Sequence, residues 1–197
     1  MLIIGHRGAR GLAPENSLAA FEAGIKAGAD ILEFDVRLTK DKIPVVIHDI
    51  HTKRTHNVRK IVPMMTLDEL RARHYSPEIM TLESLLDRYF GTIMLNIEAK
   101  RFGTGKAITE LIAHKYIKQT RDWDNFYLSS FIVRELFAAR RVSKYVNLAL
   151  LHDLNSLRFV GVYRQLNLTA VGFHRLHTST LALEIAKRLK IFTYAYT

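Results

Sequence analysis

The sequence predicts an α/β protein, a (β/α)8 TIM barrel built as a single catalytic domain over residues 1–197, with its C-terminal helix absent. Three observations predict it. Short apolar runs alternate with longer segments whose apolar residues recur at helical spacing, regularly so from residue 92 onward. Eight such runs occur along the chain, enough for a closed ring of strands with helices outside. Polar and charged residues gather where the runs end, and the carboxyl ends of strands carry the active sites of barrels and open α/β sheets alike. An open doubly wound sheet is the alternative. No GxGxxG follows the first run, so a dinucleotide site has little support, and Gly8 and Gly11 are read as shaping the loop.

In chain order, residues 2–5 (LIIG) fit a short buried strand. Pro14 to Ser17 reads as a helix start, with Asn16 or Ser17 as cap, Leu18, Phe21 and Ile25 as the apolar stripe and Gly28 as the stop. A second strand spans 31–36, residues 39–42 form a turn, and a third strand spans 45–48. That turn is too short for a helical crossover. Residues 51–75 are polar and basic, forming with their neighbours a short cap near 50–80, with one helix at 66–70 capped by Thr66 and closed by Glu69. Thr81 repeats the capping pattern with Ser84. Strands then fall at 93–97, 126–128, 146–151, 168–173 and 191–196. Helices fall near 106–118 and at 132–140, 156–164 and 179–189. No helix is left to follow the last strand, and the uncovered surface between the last and first strands is an expected place for self-association.

Composition narrows the chemistry. The chain has no cysteine, which excludes disulfides, thiolate metal sites and thiol nucleophiles. It is 48% hydrophobic, enough for one substantial core. The formal charge of +10 is spread out; clusters such as Lys53-Arg54 and Arg140-Arg141 read as solvated basic faces, and no nucleic-acid-binding motif accompanies them. No basic region precedes the first apolar run, and no stretch approaches the ~20 apolar residues of a membrane span. The expectation is a cytoplasmic protein with no signal peptide, no integral membrane segment and no nucleic-acid partner.

The strand ends carry the candidate site. Glu33 and Asp35, two apart on a strand, share a face, and two like charges that close need a cation or a proton between them. With Glu98 they make an all-oxygen set suited to a hard ion such as Mg²⁺ or Ca²⁺ rather than zinc. Read without metal, Glu33 and Asp35 would instead pair with Arg37 and Arg7. His6 and His48 each end an apolar strand, and histidine is the side chain best placed to move protons near neutral pH. Arg7 and Lys100 are suited to holding a phosphate. On the residues alone, metal-assisted hydrolysis of a phosphoester is favoured over a two-carboxylate glycosidase, which needs no histidine pair. Ser129-Ser130 lacks a GxSxG elbow. His152 and His174 stand at strand ends, and Tyr194 and Tyr196 share a face that walls the pocket or fills the barrel.

Along nearly its whole length the sequence resembles the glycerophosphodiester phosphodiesterase family. The resemblance rests on GHRG at 5–8, APENS at 13–17, GADILEFDVRLTKD at 28–41, VVIHD at 45–49, LNIEAK at 95–100 and LSSF at 128–131, in that order. It implies metal-dependent hydrolysis of glycerophosphodiesters to glycerol 3-phosphate and an alcohol, within lipid and glycerol metabolism. His6 and His48 match the acid–base histidines, and Glu33, Asp35 and Glu98 match the ligands of one divalent cation, Mg²⁺ or Ca²⁺. Arg7, Lys100, Glu15 and Asn16 match residues that bind the substrate or hold the site together. The implied partner is a small-molecule phosphodiester. Three departures stand out. Lys42 replaces a usual turn glycine, the cap segment is short, and AYT at 195–197 resembles the beginning of the family's last-strand motif. Two other functions compete. One is phospholipase D-like hydrolysis or transphosphatidylation of lysophospholipids or sphingolipids; the other is an inactive truncated barrel used as a binding module.

Overall fold

The computed structural model describes residues 1–72, 75 and 77–196. Its one sheet is built from β1 (Ile4–Gly5), β2 (Ile31–Leu38), β3 (Pro44–Val46), β4 (Met94–Ala99), β5 (Phe126–Ser130), β6 (Leu148–His152), β7 (Ala170–His174) and β8 (Phe192–Tyr196). Seven strands run parallel in the order β1-β2-β4-β5-β6-β7-β8. β3 lies off this path and pairs antiparallel with β2 alone, Val36 opposite Val46 and Arg37 opposite Val45. The eight predicted strands are therefore seven of a curled, barrel-type sheet and one hairpin return. The tight turn at 39–42 dictates this, since a chain that reverses in so few residues can pair only antiparallel. Among the described residues no backbone hydrogen bond joins β1 to β8.

Helices α1 (Leu18–Lys26), α4 (Leu82–Tyr89), α5 (Thr104–Lys115), α6 (Val133–Val142), α7 (Tyr163–Leu166) and α8 (Thr180–Arg188) cover the outer face, while α2 (Lys53–His56) and α3 (Leu67–Arg71) belong to the segment after β3. None of them is long and apolar enough to cross a membrane. The strand period of two sorts the side chains. Leu32, Phe34 and Val36 of β2 point outward with Leu95, Ile97, Leu128, Leu150 and Phe173, and pack on Phe21, Ile108, Leu136 and Phe159 of the helical layer. Ile31, Tyr127, Ala149 and Ala170 fill the amino end of the barrel interior, joined by Ile4 and Tyr194. Gly172 makes room there, since a Cβ at that position would lie 2.8 Å from the Tyr194 ring. Residues farther along the same inner face are polar, and these build the site.

Several elements begin where the sequence places them. Ser17 caps α1 by accepting from Ala20 N at 3.2 Å, and Thr66 and Glu69 form a reciprocal capping box on α3. α5 starts earlier than the spacing predicts because Glu135, buried on α6, accepts from the backbone N–H of Gly103 at 3.1 Å and of Gly105 at 2.7 Å. The predicted helix at 156–164 is instead a 3-10 turn, Arg158–Gly161, followed by the single turn of α7. Gly161 and its β-branched neighbours Val160 and Val162 weaken a continuous helix there. The segment after β3 has its own small core of Val45, Ile47, Val62, Met65, Leu70 and Ile79. α2 lies within it, a turn of helix the sequence reading did not anticipate.

Candidate active site

β2 and β4 are parallel and in register, with Glu33 opposite Asn96 and Asp35 opposite Glu98. Glu33 and Asp35 share the inner face by strand period, and register brings Glu98 beside them. The three carboxylates are buried, each offering an oxygen within 4.8 Å of the others.

The loop after β1 bends over this cluster. Arg7 and Gly8 both adopt left-handed backbone, φ 52° and 81°. At Gly8 only glycine fits, because a Cβ would come within 2.6 Å of the Ala20 carbonyl carbon. The bend aims the Arg7 N–H at Glu33 Oε2, 2.7 Å away, and the Gly8 N–H at the Glu33 carbonyl, 3.0 Å away. The Arg7 side chain donates to Glu15 Oε1 at 2.9 Å, and its Nε stands 3.4 Å from Asp35 Oδ2. Asn16 Nδ2 donates to the same Asp35 oxygen at 3.0 Å. Lys100 Nζ lies 2.8 Å from Glu98 Oε1 and 3.3 Å from Asp35 Oδ1. His6 Nε2 stands 3.8 Å from Glu33 Oε2. Across the mouth, His48 Nδ1 is 2.7 Å from Asp49 Oδ1, and Arg37 Nε donates to the His48 carbonyl at 2.7 Å.

These groups surround a cavity of about 280 Å³ at the carboxyl mouth of the sheet. Its walls include His6, Arg7, Glu33, His48, Glu98 and Lys100, together with Arg10, Ser129, Phe131, Tyr194 and Tyr196. The structure thus brings all nine expected site residues into one neighbourhood, though not all into the cavity. Asp35 lies beneath its floor, 1% exposed. Glu15 and Asn16 do not line it; they hold Arg7 and Asp35 from behind. Both tyrosines of the last strand face it, whereas His152 is buried between Phe159 and Phe173 outside it. Sequence reading missed Arg10, Phe131 and the pair Asp49 and Arg54. For Asp49 the signal was its adjacency to His48.

The electrostatics are those of crowded like charges. Burial, then Asp35 and Glu98, pushes the Glu33 carboxyl well above the usual range. Burial and Asp35 push Glu98 up to about 7. Burial acts on Asp35 in the same direction, but Lys100, His48, Arg7 and the Asn16 bond outweigh it and hold Asp35 low. Burial lowers His6 to about 4, helped by Arg7 and Arg10. Burial also lowers His48, against the pull of Asp35 and Asp49. Asp49 itself is held low, the bonds from Arg54 and His48 overcoming its partial burial.

The carboxylate set fits a hard cation. All donors are oxygens, the ammonium of Lys100 beside Glu98 and Asp35 does not reach Glu33, and among the described residues Asp35 Oδ1 accepts no hydrogen bond, Lys100 Nζ standing 3.3 Å away as an ion pair.

A curled parallel sheet with acids, histidines and cations at its carboxyl mouth defines the class: an α/β barrel of the phosphodiesterase type. Residues 6–192 match the model of the Glycerophosphoryl diester phosphodiesterase family, and the chain belongs to that family. A glycerophosphodiester phosphodiesterase of Bacillus altitudinis is 34% identical over 188 residues, 87% of this chain and 74% of that one. The protein YhdW of Bacillus subtilis is 48% identical over 109 residues, which span 51% of this chain but only 45% of that relative. Among solved structures, a glycerophosphodiester phosphodiesterase from Thermotoga maritima superposes with a TM-score of 0.83 at 27% identity, covering 100% of this chain and 86% of that one. An Oleispira antarctica phosphodiesterase in complex with its product sn-glycerol 3-phosphate superposes with a TM-score of 0.84 at 23% identity, covering 100% and 84%.

Proposed function

We propose that this protein hydrolyses glycerophosphodiesters to glycerol 3-phosphate and an alcohol, using one divalent cation, Mg²⁺ or Ca²⁺. The observation that carries the reading is the cluster of Glu33, Asp35 and Glu98 under a cavity whose walls hold two histidines, His6 and His48, and three cationic side chains, Arg7, Arg10 and Lys100. Family membership and the product held by the Oleispira relative support the same chemistry.

The three carboxylates are the residues that would hold the cation; when bound, it supplies charge neutralisation at the phosphodiester and acidifies a nearby hydroxyl or water. Arg7 and Lys100 bind the phosphate oxygens, Arg7 with the part of its fork not committed to Glu15. The surroundings of the two histidines sort their roles. His6 faces Arg7 and Arg10, which disfavour its protonated form, and it acts as the base toward the glycerol 2-hydroxyl or water. His48 carries Asp49 on Nδ1, which stabilises an imidazolium, and it protonates the leaving alcohol. Attack by the 2-hydroxyl passes through a cyclic phosphate that water then opens. Glu15 and Asn16 act behind the substrate, as supports of Arg7 and Asp35.

The test is a glycerol 3-phosphate release assay over several headgroups, with EDTA, Mg²⁺ or Ca²⁺. Release is expected with a divalent cation and is expected to vanish in EDTA. His6→Ala and His48→Ala should each cost about 10²- to 10⁴-fold in turnover. Full activity in either variant, or no release under any condition, would overturn the reading.

A further inference from the structure

We infer that Arg54 is a positioning residue of this site, a planar clamp that fixes the His48 ring through Asp49 and the Arg7 side chain through Glu15. It stands on α2, outside the ring of parallel strands, in a segment whose sequence reads as a solvated basic cluster. Its side chain is 47% exposed, yet three of its nitrogens are committed. Nε donates to Asp49 Oδ2 at 2.7 Å, while Nη1 and Nη2 grip the two oxygens of Glu15 at 2.8 and 2.6 Å. This is the bidentate fork that a guanidinium makes and an ammonium cannot.

Each carboxylate held this way reaches onward to a residue of the cavity wall. Asp49 turns its other oxygen to His48 Nδ1, 2.7 Å away. A carboxylate there accepts the Nδ1 proton, so the neutral ring carries its hydrogen on Nδ1 and leaves Nε2 for the substrate. Glu15 Oε1 also accepts from Arg7 Nη1 at 2.9 Å. Among the described residues, Arg54 is the one group hydrogen-bonded to the supports of both walls. Without it, among the described residues Asp49 keeps only its bond to His48, and Glu15 only its bond to Arg7. The helix that delivers Arg54 is anchored at its far end, where His56 Nε2 lies 3.0 Å from the Pro77 carbonyl. The small module after β3 thus orders a site whose reacting groups stand mainly on other elements.

The function of Arg54 in turnover rests on the proposed reaction, but its effect on His48 does not, and the experiment separates the two. Long-range ¹H–¹⁵N correlation of the imidazoles, at about pH 7.5 where the neutral ring dominates, should show His48 as a single Nδ1–H tautomer, assigned by its absence in His48→Gln. Arg54→Ala should give a mixture of tautomers, and Arg54→Lys should do the same. In the release assay Arg54→Ala should lower kcat by about 10- to 100-fold with KM changed less than about threefold. Added guanidinium should restore part of this in Arg54→Ala and none in Arg54→Lys. An unchanged His48 tautomer in Arg54→Ala, or full recovery in Arg54→Lys, would overturn the inference. A wild-type protein without diesterase activity would overturn the reaction instead, while the imidazole spectra would still decide the role of Arg54.

Discussion

Of the six side-chain-bearing residues with left-handed backbone among those described, Arg7 and Lys42 adopt it for different reasons. At Arg7, φ 52°, the strain is offset by the bond from its N–H to Glu33, and it is the means by which the loop is aimed at the carboxylates. Lys42, φ 67°, holds a turn, and its exposed side chain makes no hydrogen bond or ion pair among the described residues. Replacing it by glycine removes about 1–2 kcal/mol of conformational strain and adds about 0.5–1 kcal/mol of unfolded-state freedom. Lys42→Gly is therefore expected to stabilise the protein by roughly 0.5 kcal/mol with unchanged activity. A denaturant midpoint that moves down would refute this. At the residue scale the sequence also shows its limit. Asp49 announces itself by standing next to His48, but Arg54 meets Glu15 across 39 positions, and no local spacing encodes that pairing.

The elements repeat this contrast. Strand period and caps belong to neighbours in the chain, so the sequence places most strands and the starts of α1, α3 and α4 closely. The start of α5 depends on Glu135, a residue some thirty positions later whose carboxylate stands in for a local cap. β6 carries a different consequence. His152 is buried at its end, stacked on Phe173 at 5.7 Å, and among the described residues neither ring nitrogen has a hydrogen-bond partner. Burial, aided by Arg158, lowers its pKa from 6.5 to about 4. Between those values the unfolded chain binds a proton at this position and the folded chain does not. The stability this group supports is thus fully present above pH 6.5 and falls as the pH drops to about 4, by roughly 3 kcal/mol at most. His152→Phe should flatten the pH dependence of stability over that window, read as unfolding free energy from denaturant melts. An equally steep profile in the variant would show that the acid sensitivity lies elsewhere.

For the molecule as a whole, the carboxylate cluster links stability to cation binding. A cation bound only by the folded state adds RT ln(1 + [L]/Kd), about 2.7 kcal/mol at a hundredfold excess over Kd. Mg²⁺ or Ca²⁺ should therefore raise the melting temperature. Glu33→Gln removes a carboxyl whose ionisation burial and its acidic neighbours oppose, so it should stabilise the protein in EDTA while abolishing the cation-dependent rise. A wild-type melting temperature indifferent to both ions would remove Glu33, Asp35 and Glu98 from the role of ligands. By itself the sequence determined the strand–helix alternation, the family and the chemical types at the strand ends, because period and motif are properties of residues close in the chain. Only the tertiary structure decided that β1 and β8 share no backbone bonds among the described residues, and that Arg54 joins the two walls of the site. Those features depend on sheet register and on pairs far apart in the chain, where partners are chosen by packing and not by spacing.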